Sequence, residues 1–296
     1  MPRAHANGIE LEYDEHGDPA DPPMLLIMGL SAQMTTWREP LVEALAGKGF
    51  RVIRFDNRDI GLSTWLDHLG TPDLSKVLET GEIPPALYSL EDMAADAAGL
   101  LDDLHIERAH IVGASMGGMI AQAFALGHPQ RTASLCSIMS TTGDPTVGQP
   151  DPAIVAELFL SPGPTSAEEA EEAAVASNRL IGSPGYPVDE AELRAFGRAA
   201  FERASHPAGV LRQALAVFHQ TDRTAALGDV SVPTLVIHGE ADRLVDPSGG
   251  KATAAAVPGA ELWLQPGVGH DIPAALFDET ADRIAANCGR SGIPAR

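Results

Sequence analysis

The sequence has few cysteines, few basic side chains and no long apolar run, and each shortage argues against a class of protein. Cys136 and Cys288 are the only cysteines, and neither belongs to a Cys-x-x-Cys pair. This argues against a disulfide framework or a thiolate metal site and favours a reduced, cytoplasmic protein. No stretch approaches the roughly 20 apolar residues that a membrane-spanning helix requires. The first eight residues lack the apolar core of a signal peptide.

Positive charge is also scarce in this chain. It has 20 Lys and Arg against 41 Asp and Glu, which is a formal net charge of −21. Such a charge opposes binding to nucleic acid or to an anionic membrane, because both attract basic patches. We therefore expect neither partner. The 296 residues, 44% of them apolar, suffice for one large domain or for a core domain with an inserted lid.

Strand and helix patterns alternate along most of the chain. Short apolar runs predict strands, and segments with apolar residues at helical spacing lie between them. This alternation favours an α/β fold in which a mostly parallel sheet carries helices on both faces. Residues 9–13 are expected to form an antiparallel edge strand, and a helix is expected at residues 36–48. Ser89 is expected to cap a helix that starts at Leu90. The other predicted strands are residues 23–28, 50–55, 108–112, 133–139, 233–238 and 261–264.

The alternation stops between residues 142 and 227. This segment is rich in Pro, Ala and Glu, and its patterns predict helices only. We therefore predict a core domain made of residues 1–141 and 228–296, with a helical cap (lid) at 142–227 inserted between two strands of one sheet. The predicted cap helices are residues 152–160, 166–180, 189–203 and 210–221.

A serine lies inside a glycine-flanked pentapeptide. Residues 113–117 read Gly-Ala-Ser-Met-Gly, between an apolar strand and an apolar helix at 116–126. Glycines two residues to either side let the chain turn sharply and lift the hydroxyl of Ser115 out of the packed sheet. The segment therefore predicts a nucleophile elbow, and a helix-capping role for Ser115 is the alternative.

A nucleophilic serine needs a base for its proton and an acid to orient that base. Asp242 follows the next-to-last predicted strand, and His270 lies in a glycine-rich loop after the last one. Because strand ends at one edge of an open α/β sheet gather ligand groups, we predict a catalytic triad of Ser115, Asp242 and His270. His238 is expected to pack behind the acid loop, and a surface position is the alternative for His270. The alternatives for the acid are Glu240 and Asp246.

An acyl-transfer serine also needs backbone donors for the oxyanion that forms during the reaction. One donor is expected from the amide of Met116, directly after the nucleophile. The other is expected from the amide of Leu30, in the loop after residues 23–28. The sequence contains no cluster of nearby histidines and few cysteines, so it gives little support for a metal site. Apolar cap residues are expected to line the substrate pocket, namely Phe159, Leu180, Phe196 and Phe218.

The chain resembles the α/β-hydrolase superfamily over most of residues 9–286. Residues 55–63 are similar to its Asp-x-Arg-Gly-x-Gly-x-Ser turn, with Asp59 where glycine is usual. Together with Met-Gly-Leu at 28–30, this turn resembles the aclacinomycin methylesterase-like branch of serine esterases. The resemblance implies a Ser-Asp-His triad at the predicted positions, no cofactor, and a helical cap that selects the substrate.

We therefore predict a carboxylic-ester hydrolase that forms an acyl-enzyme with a small, largely apolar ester. In this hypothesis His270 takes the proton of Ser115, and Asp242 stabilises the imidazolium. A lactonase, a perhydrolase, a thioesterase or a carbon–carbon bond hydrolase would use the same triad. A hypothesis of another class is a ligand-binding protein that has a hydrolase scaffold and little turnover.

Overall fold

A mostly parallel sheet of eight strands forms the centre of the fold in a computed structural model, which describes residues 2–73, 82–154 and 163–292. The strand order is β1-β2-β4-β3-β5-β6-β7-β8. Strands β1 and β2 run antiparallel to their neighbours, and all later pairs are parallel. The predicted α/β class is therefore confirmed. The strands are Arg3–Ala6, Ile9–His16, Pro23–Ile27, Arg51–Phe55, Ala109–Ala114, Thr132–Ile138, Thr234–Gly239 and Glu261–Gln265.

Helices cover both faces of the sheet. Alternate side chains of β3 point to opposite faces, so Leu25 packs with α2 and α3, whereas Leu26 packs with α1 and α8. Both faces are buried, which explains why the central strands are continuous apolar runs. None of the described helices has the length and apolar character needed to cross a membrane. In chain order, α1 to α8 are Glu39–Gly47, Leu90–Asp103, Met116–Gly127, Ala167–Ile181, Glu190–Arg203, Pro207–Phe218, Ser248–Ala256 and Phe277–Gly289.

Two local predictions were right in the type of element but wrong in its place or bounds, and a third was confirmed. The edge strand is β1, not the strand at Ile9, because four residues at Arg3–Ala6 pair outside it. The predicted helix at 36–48 begins at Glu39, after a 3₁₀ turn at Met34–Thr36. Ser89 does cap its helix, since it accepts a hydrogen bond from the Asp92 amide while the Asp92 carboxylate accepts one from the Ser89 amide.

Three described helices, α4, α5 and α6, lie between β6 and β7. Helices α4 and α5 pack against each other, and Arg198 of α5 forms ion pairs with Glu168 and Glu171 of α4. The helix predicted at 152–160 falls mostly outside the described residues. The chain thus leaves the sheet after β6, forms these helices and returns as β7. We call the three helices and their connecting loops the cap segment.

The turn after β4 ties the cap segment to the core through a buried ion pair. Asp59 occupies the left-handed region at φ 69°, which aspartate adopts more readily than most residues. Its carboxylate accepts hydrogen bonds from Nε and Nη2 of Arg212 on α6 at 2.8 and 2.7 Å. Both side chains are fully buried. The carboxylate that replaces the usual glycine of this turn therefore anchors a cap helix.

Replacing Asp59 with glycine tests this anchor. The Asp59→Gly variant would leave the Arg212 charge buried without its main partner, a change that typically costs roughly 3–5 kcal/mol. Glycine adopts the left-handed conformation at this position without the strain of a Cβ, which offsets only about 1–2 kcal/mol of that loss. We expect a lower free energy of unfolding in urea, and substantial recovery in the Asp59→Gly/Arg212→Met double variant. A single variant as stable as the wild type would show that this pair does not anchor α6.

Candidate active site

Ser115 lies in a strained turn between β5 and α3. Its φ is 57°, in the left-handed region that non-glycine residues adopt at a cost. A Cβ on Gly113 would lie 2.0 Å from the carbonyl oxygen of Gly117, and a Cβ on Gly117 would lie 2.0 Å from that of Ile27. Only glycine fits at these two positions. The serine occupies the N-cap position of α3, but its hydroxyl makes no capping hydrogen bond.

The hydroxyl of Ser115 instead faces His270. Its Oγ lies 2.9 Å from Nε2 of His270, whose Nδ1 lies 2.7 Å from Oδ2 of Asp242. The carboxylate only accepts when ionised, so Nδ1 carries the proton and Nε2 is free to accept the one on Oγ. The structure therefore brings together the three side chains predicted for the triad, at the carboxyl ends of β5, β7 and β8.

Asp242 is buried and held by several donors. Burial alone would raise its pKa, but contacts with His270 and His238 outweigh that effect and hold the pKa well below its usual range. Its Oδ1 accepts hydrogen bonds from the amides of Leu244 and Val245, both at 2.9 Å. The carboxylate is thus ionised at neutral pH and fixed in direction, as needed to orient a histidine.

His238 packs behind the acid loop. Its Nε2 donates to the carbonyl oxygen of Val245 at 2.8 Å and lies 3.3 Å from Oδ2 of Asp242. A Cβ on Gly250 would come within 2.4 Å of Nδ1 of His238, so the small residue makes room for the ring. Sequence reasoning did not identify Gly250, because nothing local marks a contact between β7 and α7.

The two alternative acids lie elsewhere. Glu240 and Asp246 are both exposed, and the Asp246 carboxylate accepts a hydrogen bond from the Ser248 amide at the start of α7. Neither makes the contact with His270 that Asp242 makes at 2.7 Å. Among the three acids weighed from the sequence, Asp242 is the one positioned beside the imidazole.

The loop that carries His270 is fixed by the cap segment. The His270 amide donates to the carbonyl oxygen of Ile181 at 2.7 Å, and the Gly269 amide donates to Oγ of Ser183 at 2.9 Å. The Ser183 hydroxyl in turn donates to the carboxylate of Asp271, whose pKa is raised by burial. Ser183 and Asp271 carried no recognisable motif, and only the packing of distant loops reveals their contact.

The loop after β3 lies against the serine. A Cβ on Gly29 would lie 3.0 Å from Cβ of Ser115 and 3.5 Å from its Oγ. Leu30 comes next in this loop, and Met116 opens α3 on the other side of the serine. The two backbone amides predicted to bind an oxyanion thus belong to segments that adjoin the hydroxyl. Their role as donors stays a prediction.

The residues predicted to line a pocket have different surroundings. Leu180 is half-buried near the end of α4, directly before Ile181, whose carbonyl binds the His270 loop. Phe196 is half-buried on α5, with the guanidinium of Arg38 4.6 Å from its ring centroid. Phe218 ends α6 and is 38% exposed. The fourth residue of the set, Phe159, lies outside the described residues.

Among the described residues, the cysteines and acidic side chains form no further site. Both Cys136 and Cys288 are buried and free, and burial raises the pKa of Cys288 to about 12. A thiol with so high a pKa is a poor nucleophile or metal ligand at neutral pH. Within residues 2–73, 82–154 and 163–292, no group of three or more His, Cys, Asp or Glu side chains is placed to hold a metal ion.

Known proteins share both the sequence pattern and the fold. A family model described as alpha/beta hydrolase fold matches residues 22–274. Rhodomycin D methylesterase DnrP of Streptomyces peucetius is 31% identical, with 92% of each chain covered. The enol-lactonase of Burkholderia xenovorans LB400 has a TM-score of 0.74 at 26% identity, covering 97% of this chain and all of that one. The predicted resemblance is confirmed, and the chain belongs to the α/β-hydrolase fold family.

Proposed function

We propose that this protein is a serine carboxylic-ester hydrolase that works through an acyl-enzyme. The observation that carries the proposal is the hydrogen-bonded series from Ser115 through His270 to Asp242. Nε2 of His270 accepts the Oγ proton as Oγ attacks the ester carbonyl, and the ionised Asp242 stabilises the imidazolium that forms. The imidazolium then gives its proton to the leaving alcohol. Water, activated by the same histidine, releases the acid from the enzyme.

Two backbone amides would bind the oxyanion in both steps. The Met116 amide opens α3, where the helix dipole adds positive potential, and the Leu30 amide lies in the loop beside the serine. The reaction moves protons and one acyl group only, so it needs no metal and no redox cofactor. The similarity to a rhodomycin D methylesterase supports an ester as the bond that is cleaved.

The cap segment would select the ester. The cap segment would belong to a cap of residues 142–227, as predicted, with residues 1–141 and 228–296 as the core. Support comes from the contacts of Ile181 and Ser183 with the His270 loop, which bring the end of α4 to the edge of the site. Leu180 adjoins these residues and has the best support of the proposed lining residues. An apolar lining suits a small, largely apolar ester.

Removal of the nucleophile is the direct test. The Ser115→Ala variant should lose roughly 10⁴- to 10⁶-fold in kcat on short p-nitrophenyl esters, because no alcohol remains to be acylated. A fluorophosphonate probe should label the wild type and not the variant. Circular dichroism of both proteins checks the fold. A variant that keeps the wild-type rate, or a wild type that resists labelling, would contradict the proposal and favour a ligand-binding protein.

Asp246 provides a matched control for the proposed catalytic acid, Asp242, on the same loop. Asp242→Asn should lower kcat about 10⁴-fold, since an amide stabilises neither the imidazolium nor the required tautomer. Asp246→Asn, an exposed change four residues away, should leave the rate within about twofold. Comparison of kcat for the two variants at pH 7 and 8 decides the matter. Equal losses in the two variants would show that Asp242 is not the acid.

A lactone is the second candidate substrate. The enol-lactonase with the same fold supports it, and a lactone is opened by the same steps with the alcohol still tethered. We expect kcat/KM to be higher for acyclic methyl and short-chain esters than for five- and six-membered lactones. A preference for lactones by more than tenfold would reverse this assignment, while the Ser115 mechanism would stand.

A further inference from the structure

Gln213 of α6 joins two loops of the core. Its Oε1 accepts a hydrogen bond from the Ser31 amide at 3.1 Å, and its Nε2 donates to the carbonyl oxygen of Arg58 at 2.8 Å. The side chain is fully buried. A buried amide is costly unless its donor and acceptor both find partners, and both do here. Ser31 lies 182 residues away along the chain, so the contact belongs to the tertiary fold alone.

Residues 28–34, which we call the oxyanion loop, form hydrogen bonds with side chains of the core at their two ends. At the first end, Nδ2 of Asn57 donates to the carbonyl oxygen of Met28 at 2.8 Å. At the other end, the Met34 amide donates to Oδ1 of Asp56 at 2.8 Å. Between these points the loop forms no helix or strand. Leu30 and Ala32 pack against the apolar core between these points, but such contacts are non-directional and do not by themselves fix the direction of a backbone amide.

The cap segment holds that middle part. Ser31 has a φ of 63°, and a non-glycine residue keeps this conformation only where its surroundings enforce it. The Ser31 amide donates to the side chain of Gln213. Two residues further along the loop, the side chain of Gln33 donates to the carbonyl oxygens of Ala200 and Ala204 at 2.7 and 3.0 Å. Both contacts come from the cap segment. Leu30, whose amide is the proposed oxyanion donor, directly precedes the residue that Gln213 binds.

We propose that Gln213 is a positioning residue for the oxyanion hole: it holds Ser31 in the left-handed conformation and so aims the Leu30 amide at the oxyanion. The catalytic part of this proposal rests on the proposed ester hydrolysis. Gln213 acts through the backbone and does not touch substrate. The cap segment thereby contributes to binding of the transition state as well as to choice of substrate. Loss of the hydrogen bond between the Ser31 amide and Gln213 should lower kcat more than it raises KM.

The test is Gln213→Leu, which keeps the size of the side chain and removes both hydrogen bonds. A displaced donor should reduce kcat on p-nitrophenyl acetate roughly 10- to 100-fold, with KM within about twofold. Affinity for a trifluoromethyl ketone, which forms an oxyanion in the site, should fall by a similar factor. The oxygen-to-thiono ratio, which is kcat for an oxygen ester divided by kcat for the corresponding thiono ester, should fall. The reason is that a thio-oxyanion gains less than an oxyanion from the amide donors.

Asn287→Leu is the matched control. This buried amide on α8 donates to the carbonyl oxygen of Leu135 at 3.0 Å, so the change again removes a buried hydrogen bond to backbone, but away from the oxyanion loop. It should leave the oxygen-to-thiono ratio at the wild-type value. An unchanged ratio and an unchanged kcat in Gln213→Leu, or the same change of ratio in both variants, would overturn the proposal.

Hydrogen exchange tests the positioning without any activity. A peptide that covers residues 28–34 should exchange faster in Gln213→Leu than in the wild type or in Asn287→Leu, each measured by mass spectrometry. Equal exchange in all three proteins would overturn the proposal. A wild type that hydrolyses no ester would instead remove the proposed function, while this exchange would still decide whether Gln213 holds the loop.

Discussion

The close packing of backbone around Ser115 is the constraint on which the rest of the site depends. The start of α3 lies so close to β5 and β3 that there is no room for a Cβ at Gly113 or Gly117, and Gly29 also adjoins the serine. This contact forces Ser115 into a positive φ and places its hydroxyl at the carboxyl edge of the sheet. It also brings the segments of Leu30 and Met116 next to the serine. A looser turn would therefore displace the proposed nucleophile together with the proposed oxyanion donors.

The loops that flank the serine share one support. The His270 loop rests on Ile181 and Ser183, and the oxyanion loop rests on Gln213, all in the cap segment. The proposed base and one proposed oxyanion donor therefore both depend on the position of the cap segment. Helix α6, which carries Gln213, is in turn anchored to the turn after β4 by the buried pair of Asp59 and Arg212. A buried, bidentate ion pair holds its two side chains in a defined geometry, so it can fix the position of a helix.

Local patterns predicted the central sheet and the three side chains that meet in the hydrogen-bonded series from Ser115 to Asp242, because both depend on short segments. A buried strand is a run of apolar residues, and a nucleophile turn shows its glycines at fixed spacing. The errors have local causes as well. Strand β1 has four residues, and its buried ones are only Ala4 and Ala6, so it gives almost no apolar signal. The helix predicted from residue 36 starts late, because the chain first makes a 3₁₀ turn.

By itself, the sequence determined the order of strands and helices, the strained serine turn and the chain positions of an acid and a base. Only the tertiary structure separated Asp242 from Glu240 and Asp246 as the acid beside His270, explained why Asp59 stands in place of glycine, and showed that Gln213 reaches Ser31. The reason is physical. Helical and strand periodicity act over a few residues. These contacts instead join residues that are separated by between 28 and 182 positions along the chain. Their partners are set by how whole elements pack, and no short stretch of sequence contains that information.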